Sequence, residues 1–182
     1  MNHHIRQAKR SDLPAIGRLI RQAFDDEGPS IAALVEEMVD DPTAQPLRSI
    51  VAVMADRVIG HILFTAARIE GRDPTLRSAI LAPLTVHPDH QRQGIGGRLI
   101  QQGLCELREQ GVVLVFVLGH PAYYARHGFT AAGVHGLAAP HPIPAEHAEA
   151  WMVRAMRPEL LGTVTGTVCC ANALSDRKYW VE

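Results

Sequence analysis

Residues 84–99 read LTVHPDHQRQGIGGRL, and they hold an apolar strand end, a polar turn, closely spaced glycines and a helix start, in that order. Free N–H groups and the positive dipole end at the first turn of a helix stabilise phosphate oxygens. Glycines let a ligand approach the backbone, although they also serve simply to loosen a turn. The stretch favours an anion site, but it is neither GxGxxG, because Leu99 stands at the third glycine, nor GxxxxGK[ST].

Downstream of the glycines, apolar periodicity predicts a β-α-β-α unit. Its helix runs from about Gln93 to Glu109, its buried strand covers residues 112–117 and its short final helix covers residues 122–126. A helix that connects two strands of one sheet implies a parallel pair with a right-handed crossover. The unit therefore predicts a sheet with at least one parallel pair.

Upstream, short polar connections between β-branched runs predict an antiparallel meander. Its strands cover residues 49–54, 58–69 and 77–86. Before it we expect a strand at residues 4–8 and two amphipathic helices, the first capped by Ser11 and Asp12 and the second capped by residues 28–30. We also expect a strand at residues 150–156, whereas the run from 162 to 168 favours a strand or hairpin and the rest of the tail has no clear pattern. The fold class is mixed α/β.

Length and composition predict one folded domain, residues 1–182, with the ligand-binding core at about 77–130. Hydrophobic residues make up 47% and charged residues 20% of the chain, which is typical of a globular domain. A formal net charge of -1 gives no global field for nucleic acid or anionic lipid, and we expect neither as a partner. No apolar run approaches the ~20 residues of a membrane span, and no signal-like segment follows Met1.

Three cysteines cannot form a complete disulfide framework, which fits a reduced compartment, so we expect a cytoplasmic protein. The ten histidines form no HExxH pattern, and His87 and His90 flank a Pro-Asp turn rather than a helix face. We expect no metal site.

The pattern Gln91-x-x-Gly94-x-Gly96 after an apolar strand resembles the acetyl-CoA motif of the GNAT superfamily of N-acetyltransferases. The resemblance implies a mostly antiparallel mixed sheet flanked by helices, with one splayed parallel strand pair that admits the pantetheine arm. It also implies acetyl-CoA as cosubstrate, with strand contacts at Leu84 and Val86. The residues expected around the cofactor are Leu84, Thr85, Val86, Gln91, Arg92, Gln93, Gly94, Ile95, Gly96, Gly97, Arg98 and Tyr124.

A second motif, residues 123–129, resembles the Tyr-x-x-x-Gly-Phe segment of the family, and residues 117–124 resemble a YhbS-like subgroup of predicted bacterial acetyltransferases. By this resemblance Tyr124 is the general acid toward the leaving sulfur, with Tyr123 in reserve, and the amide near Leu84 polarises the thioester carbonyl. His120, at the end of the fifth strand, is the best candidate for a base, although a water chain could serve instead. His120 stands where the subgroup more often has an acidic residue, which puts the acceptor site in doubt.

The expected reaction is direct transfer of acetyl from acetyl-CoA to a primary amine of a small molecule or peptide. The alternative is a non-catalytic acyl-CoA sensor; a scaffold without ligand is disfavoured by Gly94 and Gly96. We expect the acceptor site to be shaped by the two N-terminal helices, by residues 139–142 and by the C-terminal strands. A homodimer is plausible for the fold family, but no sequence feature supports one.

Overall fold

The computed structural model describes residues 3–180. Residues 1, 2, 181 and 182 of the predicted domain lie outside this range. The described chain forms nine strands and four α-helices, joined by turns and short 3₁₀ segments. The strands are β1 (His4–Gln7), β2 (Arg48–Met54), β3 (Arg57–Ile69), β4 (Ser78–Val86), β5 (Leu114–Leu118), β6 (Thr130–Ala131), β7 (Leu137–Ala138), β8 (Trp151–Ala155) and β9 (Gly166–Cys169). The helices are α1 (Leu13–Ala23), α2 (Gly28–Asp40), α3 (Ile95–Glu109) and α4 (Pro121–Tyr124).

The central sheet has the strand order β1-β2-β3-β4-β5-β8-β6. The pairings from β1 to β4 are antiparallel, as are those of β8 with β5 and β6, whereas β4 and β5 pair in parallel. Strand β9 pairs antiparallel with the end of β3 and in parallel with β7. The predicted mixed sheet with one parallel pair in its centre is confirmed.

Two apolar cores lie on opposite faces of the sheet. Helices α1 and α2 cover one face, with Ile20 and Met38 fully buried, and α3 covers the other through Leu99 and Ile100. Gly103 lets α3 approach closely, because a Cβ there would overlap the ring of Phe64. Successive residues of β2 to β5 point alternately into one core and the other. A slip of one residue in the strand pairing would move these side chains to the wrong face, so burial fixes the register of the sheet.

Two predicted boundaries on either side of α3 move by two residues. Gly94 has a left-handed φ of 81°, so the helix starts at Ile95 rather than at Gln93. The amide of Val112 still bonds to the carbonyl of Leu107 (3.0 Å) as part of the helix end, so β5 starts at Leu114. Both shifts arise because the chain must turn between helix and strand.

The predicted capping of α1 by Ser11 and Asp12 is wrong. The carboxylate of Asp12 accepts from the amide of Lys9 (2.7 Å) and pairs with Arg6 (2.7 Å). It therefore caps the short 3₁₀ turn that precedes α1, and no side chain caps α1 itself. Within residues 3–180 no helix combines the length and the apolar character that a membrane crossing requires.

The sequence pattern did not reveal the role of the C-terminal segment, which packs back on the core. Asp41 accepts from the amide of Ala173 (2.9 Å), and Thr43 accepts from the amide of Asn172 (2.8 Å). The indole of Trp180 is buried, donates to the carbonyl of Leu174 and lies edge to face against Trp151. These contacts hold residues 172–180 beside α2.

A histidine is fully buried in the middle of β3. His61 contacts the hydroxyl of Ser49 through Nε2 at 2.9 Å, and its Nδ1 has no partner in the described part of the chain. Burial lowers the pKa of His61 from 6.5 to about 3. The native state therefore holds this imidazole neutral across the range in which an unfolded chain would protonate it.

We expect His61 to make the protein acid-sensitive. Between pH 6.5 and about 3 the unfolded chain binds one proton more than the folded chain, so the free energy of unfolding falls as pH falls, by up to ~1.4 kcal/mol per pH unit. Urea unfolding at pH 5, 6 and 7 measures this slope. His61→Gln should flatten it, whereas His120→Gln at an exposed position should not; equal slopes in all three proteins would contradict the prediction.

Candidate functional site

The candidate site lies where β4 and β5 separate. The two strands pair only through residues 78–80 of β4 and 114–116 of β5. Beyond that point β5 continues to Leu118 with β8 as its partner. Pro83 of β4 has no N–H to donate, so a ladder cannot continue through it. The sheet therefore opens into a gap between the C-terminal ends of two parallel strands.

The register of β4 shows which backbone groups face this gap. The amide of His87 donates to the carbonyl of Ile59 at 2.9 Å, which makes them a hydrogen-bonded pair. Such pairs alternate with non-hydrogen-bonded pairs along antiparallel strands, so Leu84 and Val86 are not bonded to β3. Their N–H and C=O groups point away from β3, and Gln91 Nε2 reaches the Val86 carbonyl at 3.1 Å. The Leu84 amide is thus free to donate to a ligand in the gap.

The first turn of α3 has no capping side chain, and Gly94 occupies the N-cap. The first amide of the helix with a partner is that of Arg98, which bonds to the carbonyl of Gly94 at 3.1 Å. The amides of residues 95–97 have no acceptor in the described chain. Three N–H groups at the positive end of a four-turn helix form a ready site for an anion.

An open cavity of about 630 Å³ covers this helix start. Arg92 and Arg126 supply its cations, His90 and His127 complete its polar wall, and no carboxylate of the described residues lines it. Burial, with smaller contributions from the nearby Arg126 and Arg154, lowers the pKa of His127. The cavity therefore attracts anions. Its other lining residues are Leu84, Val86, Gln91, Gly94, Ile95, Gly96, Gly97 and Tyr123.

The two adjacent tyrosines face different cavities. The hydroxyl of Tyr123 lies against Gly96 in the anion cavity, and Arg126 stacks over its ring at 5.1 Å. The ring of Tyr124 packs instead on Gly119 at the end of β5. The rings are perpendicular, with centroids 5.1 Å apart. One tyrosine therefore belongs to the helix start and the other to the opened sheet.

Tyr124 is an almost buried proton donor. Tyr124 is 8% exposed, and its ring packs edge to face against Phe129 with the ring centroids 5.6 Å apart. Burial raises the pKa of the Tyr124 hydroxyl well above its usual value, with a smaller contribution from Tyr123. No hydrogen-bond partner for this hydroxyl is found among residues 3–180. It is therefore protonated at neutral pH and available to a ligand.

Leu84 also lines a second open cavity, of about 570 Å³, together with Tyr124. His120 is exposed at its edge, where it forms the N-cap of α4. Five segments make the walls: the end of α1 with the first half of α2, residues 80–84 of β4, the end of β5, α4 and the C-terminal segment. The segment 139–142, which was predicted to help shape the acceptor site, does not contribute to the lining.

Three of the predicted cofactor residues line neither cavity. The side chain of Thr85 is buried on the α1 face beside His61, its partner in β3. Gln93 donates to the carbonyl of Asp89 (3.2 Å), and Arg98 contacts His3 (2.8 Å). For Thr85 the reason is strand alternation, which places it on the opposite face from Leu84 and Val86. The other predicted residues line one cavity or both.

Sequence reasoning missed several residues of the site. Arg126 and His127 follow the tyrosine pair directly, and their basic character was the available signal for the anion cavity. Asp26 and Glu27, at the junction of α1 and α2, and Lys178, in the C-terminal segment, line the second cavity. Nothing in their local sequence indicates this, because only the packing of distant segments brings them together.

Comparisons with known proteins agree with this geometry. Residues 4–132 match the family model described as an acetyltransferase (GNAT) domain. The chain is 44% identical to YjhQ of Escherichia coli K12, an uncharacterized N-acetyltransferase, over 74% of this chain and 75% of the relative. It is 32% identical to the uncharacterized N-acetyltransferase YhbS of the same strain, over 86% of this chain and 89% of the relative.

Two solved structures are similar along nearly the whole chain. The crystal structure of Escherichia coli YhbS in complex with CoA has a TM-score of 0.86 and 30% identity, covering 97% of this chain and 93% of that one. A GNAT family acetyltransferase of Brucella melitensis in complex with acetyl-CoA has a TM-score of 0.75 and 27% identity, covering 95% and 98%. The overall fold of this chain is thus similar to that of these two acetyltransferases.

Proposed function

This chain belongs to the acetyltransferase (GNAT) family, and from that premise we propose that it transfers the acetyl group of acetyl-CoA directly to a primary amine. The observation that carries the proposal is the pair of cavities that share Leu84. One holds unpaired helix amides and cations, and the other is lined by Tyr124, whose side chain is mostly buried. A single domain, residues 1–182, would supply both halves of the site.

The anion cavity fits the pyrophosphate of acetyl-CoA. The free amides of residues 95–97 would donate to phosphate oxygens, with Arg92 and Arg126 as neighbouring cations. Two similar proteins are crystallised with CoA and acetyl-CoA. By analogy, the pantetheine arm would cross the gap between β4 and β5, along the outward backbone groups of Leu84 and Val86.

Because Leu84 lines both cavities, the thioester would lie beside Leu84, between the cofactor side and the amine side of the site. Its amide would donate to the thioester carbonyl and to the oxyanion that forms when the amine attacks, as preformed backbone donors do in acyl transfer. In this reaction the new N–C bond forms, the C–S bond breaks and the sulfur leaves as a thiolate. The hydroxyl of Tyr124 would give its proton to that thiolate.

The attacking amine must be neutral, and the product amide must lose one proton. His120 lines the amine side of the site and is exposed to solvent, so it could pass this proton to bulk water. The proton balance then closes, because Tyr124 gives one proton to sulfur and regains one from solvent. No acyl-enzyme is needed, and none of the three cysteines lines either cavity.

We expect acetyl-CoA to stabilise the folded protein and to be consumed when an amine is added. Acetyl-CoA at a concentration of about 100 times its Kd adds ~2.7 kcal/mol to the free energy of unfolding. This raises Tm by roughly 5–10 °C for a domain of this size. Calorimetric titration and thermal unfolding measure binding, and thiol release with an amine panel measures transfer. Binding without release for any amine would favour a sensor, and the lack of both heat and Tm shift would refute the cofactor assignment.

A further inference from the structure

We propose that the acceptor is a primary amine with an apolar body and a second cationic group, and that this second group stays at the cavity mouth beside Asp26 and Glu27. The inference rests on the proposed function and names the substrate class of the second cavity. The relevant observations are the charge of the mouth, the character of the walls and the position of the reactive end.

The walls of the second cavity are mostly apolar. Phe24 lines it just after α1, Ile31 and Leu34 line it from α2, and Leu174 and Trp180 line it from the C-terminal segment. The bonds of Asp41 to residue 173 and of Trp180 to Leu174 hold the C-terminal wall in place. A hydrocarbon chain or an apolar side chain would therefore bury its surface against these walls.

The charges of the mouth are unbalanced. Asp26 and Glu27 are exposed, and neither forms an ion pair with another described residue. The cation on the opposite wall, Lys178, is already compensated, because its ammonium lies 3.4 Å from the carboxylate of Asp176 and 4.8 Å from the centre of the Tyr179 ring. Among the described residues that line the cavity, two carboxylates are therefore available to a cation, and the one lysine is already paired.

The inner end of the cavity identifies where the reacting amine goes. Tyr124 is 8% exposed, lines the cavity, and its hydroxyl lacks a hydrogen-bond partner among residues 3–180. This unsatisfied hydroxyl lies among apolar groups, where a charged ammonium would be poorly solvated and a neutral amine would be favoured. A molecule with two amino groups can place the neutral one inside and the charged one at the mouth.

Three acceptors of equal length test the charge requirement: hexane-1,6-diamine, hexylamine and 6-aminohexanoate, each assayed by thiol release from acetyl-CoA. We expect kcat/KM to be about tenfold higher for the diamine than for hexylamine at low ionic strength, and lowest for 6-aminohexanoate. The advantage of the diamine should shrink as salt is added, because the two carboxylates are exposed and screened. The difference should lie mainly in KM.

The double variant Asp26→Asn/Glu27→Gln should bring the ratio between diamine and hexylamine to about one. The matched control is Asp25→Asn, since Asp25 is the adjacent acid, does not line the cavity, and has a φ of 43° that asparagine tolerates. It should keep the tenfold ratio. Titration of each variant with acetyl-CoA separates this inference from the proposed function.

Three results would overturn the proposal while acetyl-CoA binding remains intact. These are equal kcat/KM for the diamine and hexylamine, a loss of the ratio in Asp25→Asn as large as in the double variant, and acetylation of none of the three acceptors by a protein that does acetylate another amine. A protein that fails to bind acetyl-CoA would instead refute the proposed function on which the inference rests.

Discussion

Replacing Tyr124 by phenylalanine is expected to lower kcat by about 10²–10⁴-fold and to leave the affinity for acetyl-CoA nearly unchanged. The ring packs on Gly119 and Phe129, and a phenylalanine would keep both contacts. Only the hydroxyl is lost, and with it the proton for the departing thiolate. Because an ordinary thiol has a pKa near 8.5, the departing thiolate takes up a proton at neutral pH, and a donor placed beside it assists the breaking of the C–S bond.

The matched control is Tyr123→Phe. The hydroxyl of Tyr123 lies against Gly96 in the anion cavity, on the other side of the perpendicular ring pair. Its loss should affect acetyl-CoA binding slightly and should not slow the chemical step. Single-turnover thiol release, with an acceptor found by screening, compares the two variants under conditions in which chemistry limits the rate.

Full single-turnover activity of Tyr124→Phe would contradict the assigned role, and a slow Tyr123→Phe would then transfer that role to Tyr123. The pH profile gives a second test. Because burial raises the pKa of Tyr124, its hydroxyl should keep its proton at pH values well above those at which tyrosine usually ionises. The parent should therefore show no loss of activity from this group as the pH rises through the range near 10 where an exposed tyrosine ionises.

Gly96→Val is expected to weaken acetyl-CoA binding about 100-fold or more while costing little folding stability. A Cβ at this position would overlap the hydroxyl of Tyr123, and the larger valine side chain would fill the space above the free helix amides. Charge-assisted hydrogen bonds contribute about 1.5–3 kcal/mol each, and the loss of ~2.7 kcal/mol in binding corresponds to 100-fold. The Tyr123 side chain can move aside, so the fold itself should tolerate the change.

Gly133→Val provides the control for a glycine-to-valine change without a ligand role, because nothing lies within 4 Å of a Cβ built there and the residue is exposed. Calorimetric titration gives Kd, and urea unfolding gives the free energy of unfolding for the parent and both variants. If Gly96→Val binds acetyl-CoA as tightly as the parent, the phosphate contacts lie elsewhere. If it binds weakly but is also largely unfolded, Gly96→Ala repeats the test with a smaller side chain.

Local features of the sequence determined the family, the fold class and the anion-binding half of the site. The glycines of residues 94–97, the helix that follows them and the spacing from Tyr124 to Phe129 are all contiguous in the chain. Backbone conformation, helical periodicity and helix dipoles act over a few residues, so a single sequence can report them. For the same reason the longer helices and strands up to β5 were predicted to within a few residues, whereas the two-residue strands β6 and β7 were not predicted.

Three features were decided by tertiary structure alone. These are the direction of the backbone groups of β4, the placement of two adjacent tyrosines in different cavities and the composition of the second cavity. The free amide of Leu84 depends on the register between β3 and β4, and the exclusion of Thr85 depends on the face it occupies. Asp26 and Lys178 are about 150 positions apart in the sequence, and they line one cavity only because both segments pack against the opened sheet. Register and packing are set by contacts between distant segments, which no local pattern of residues encodes.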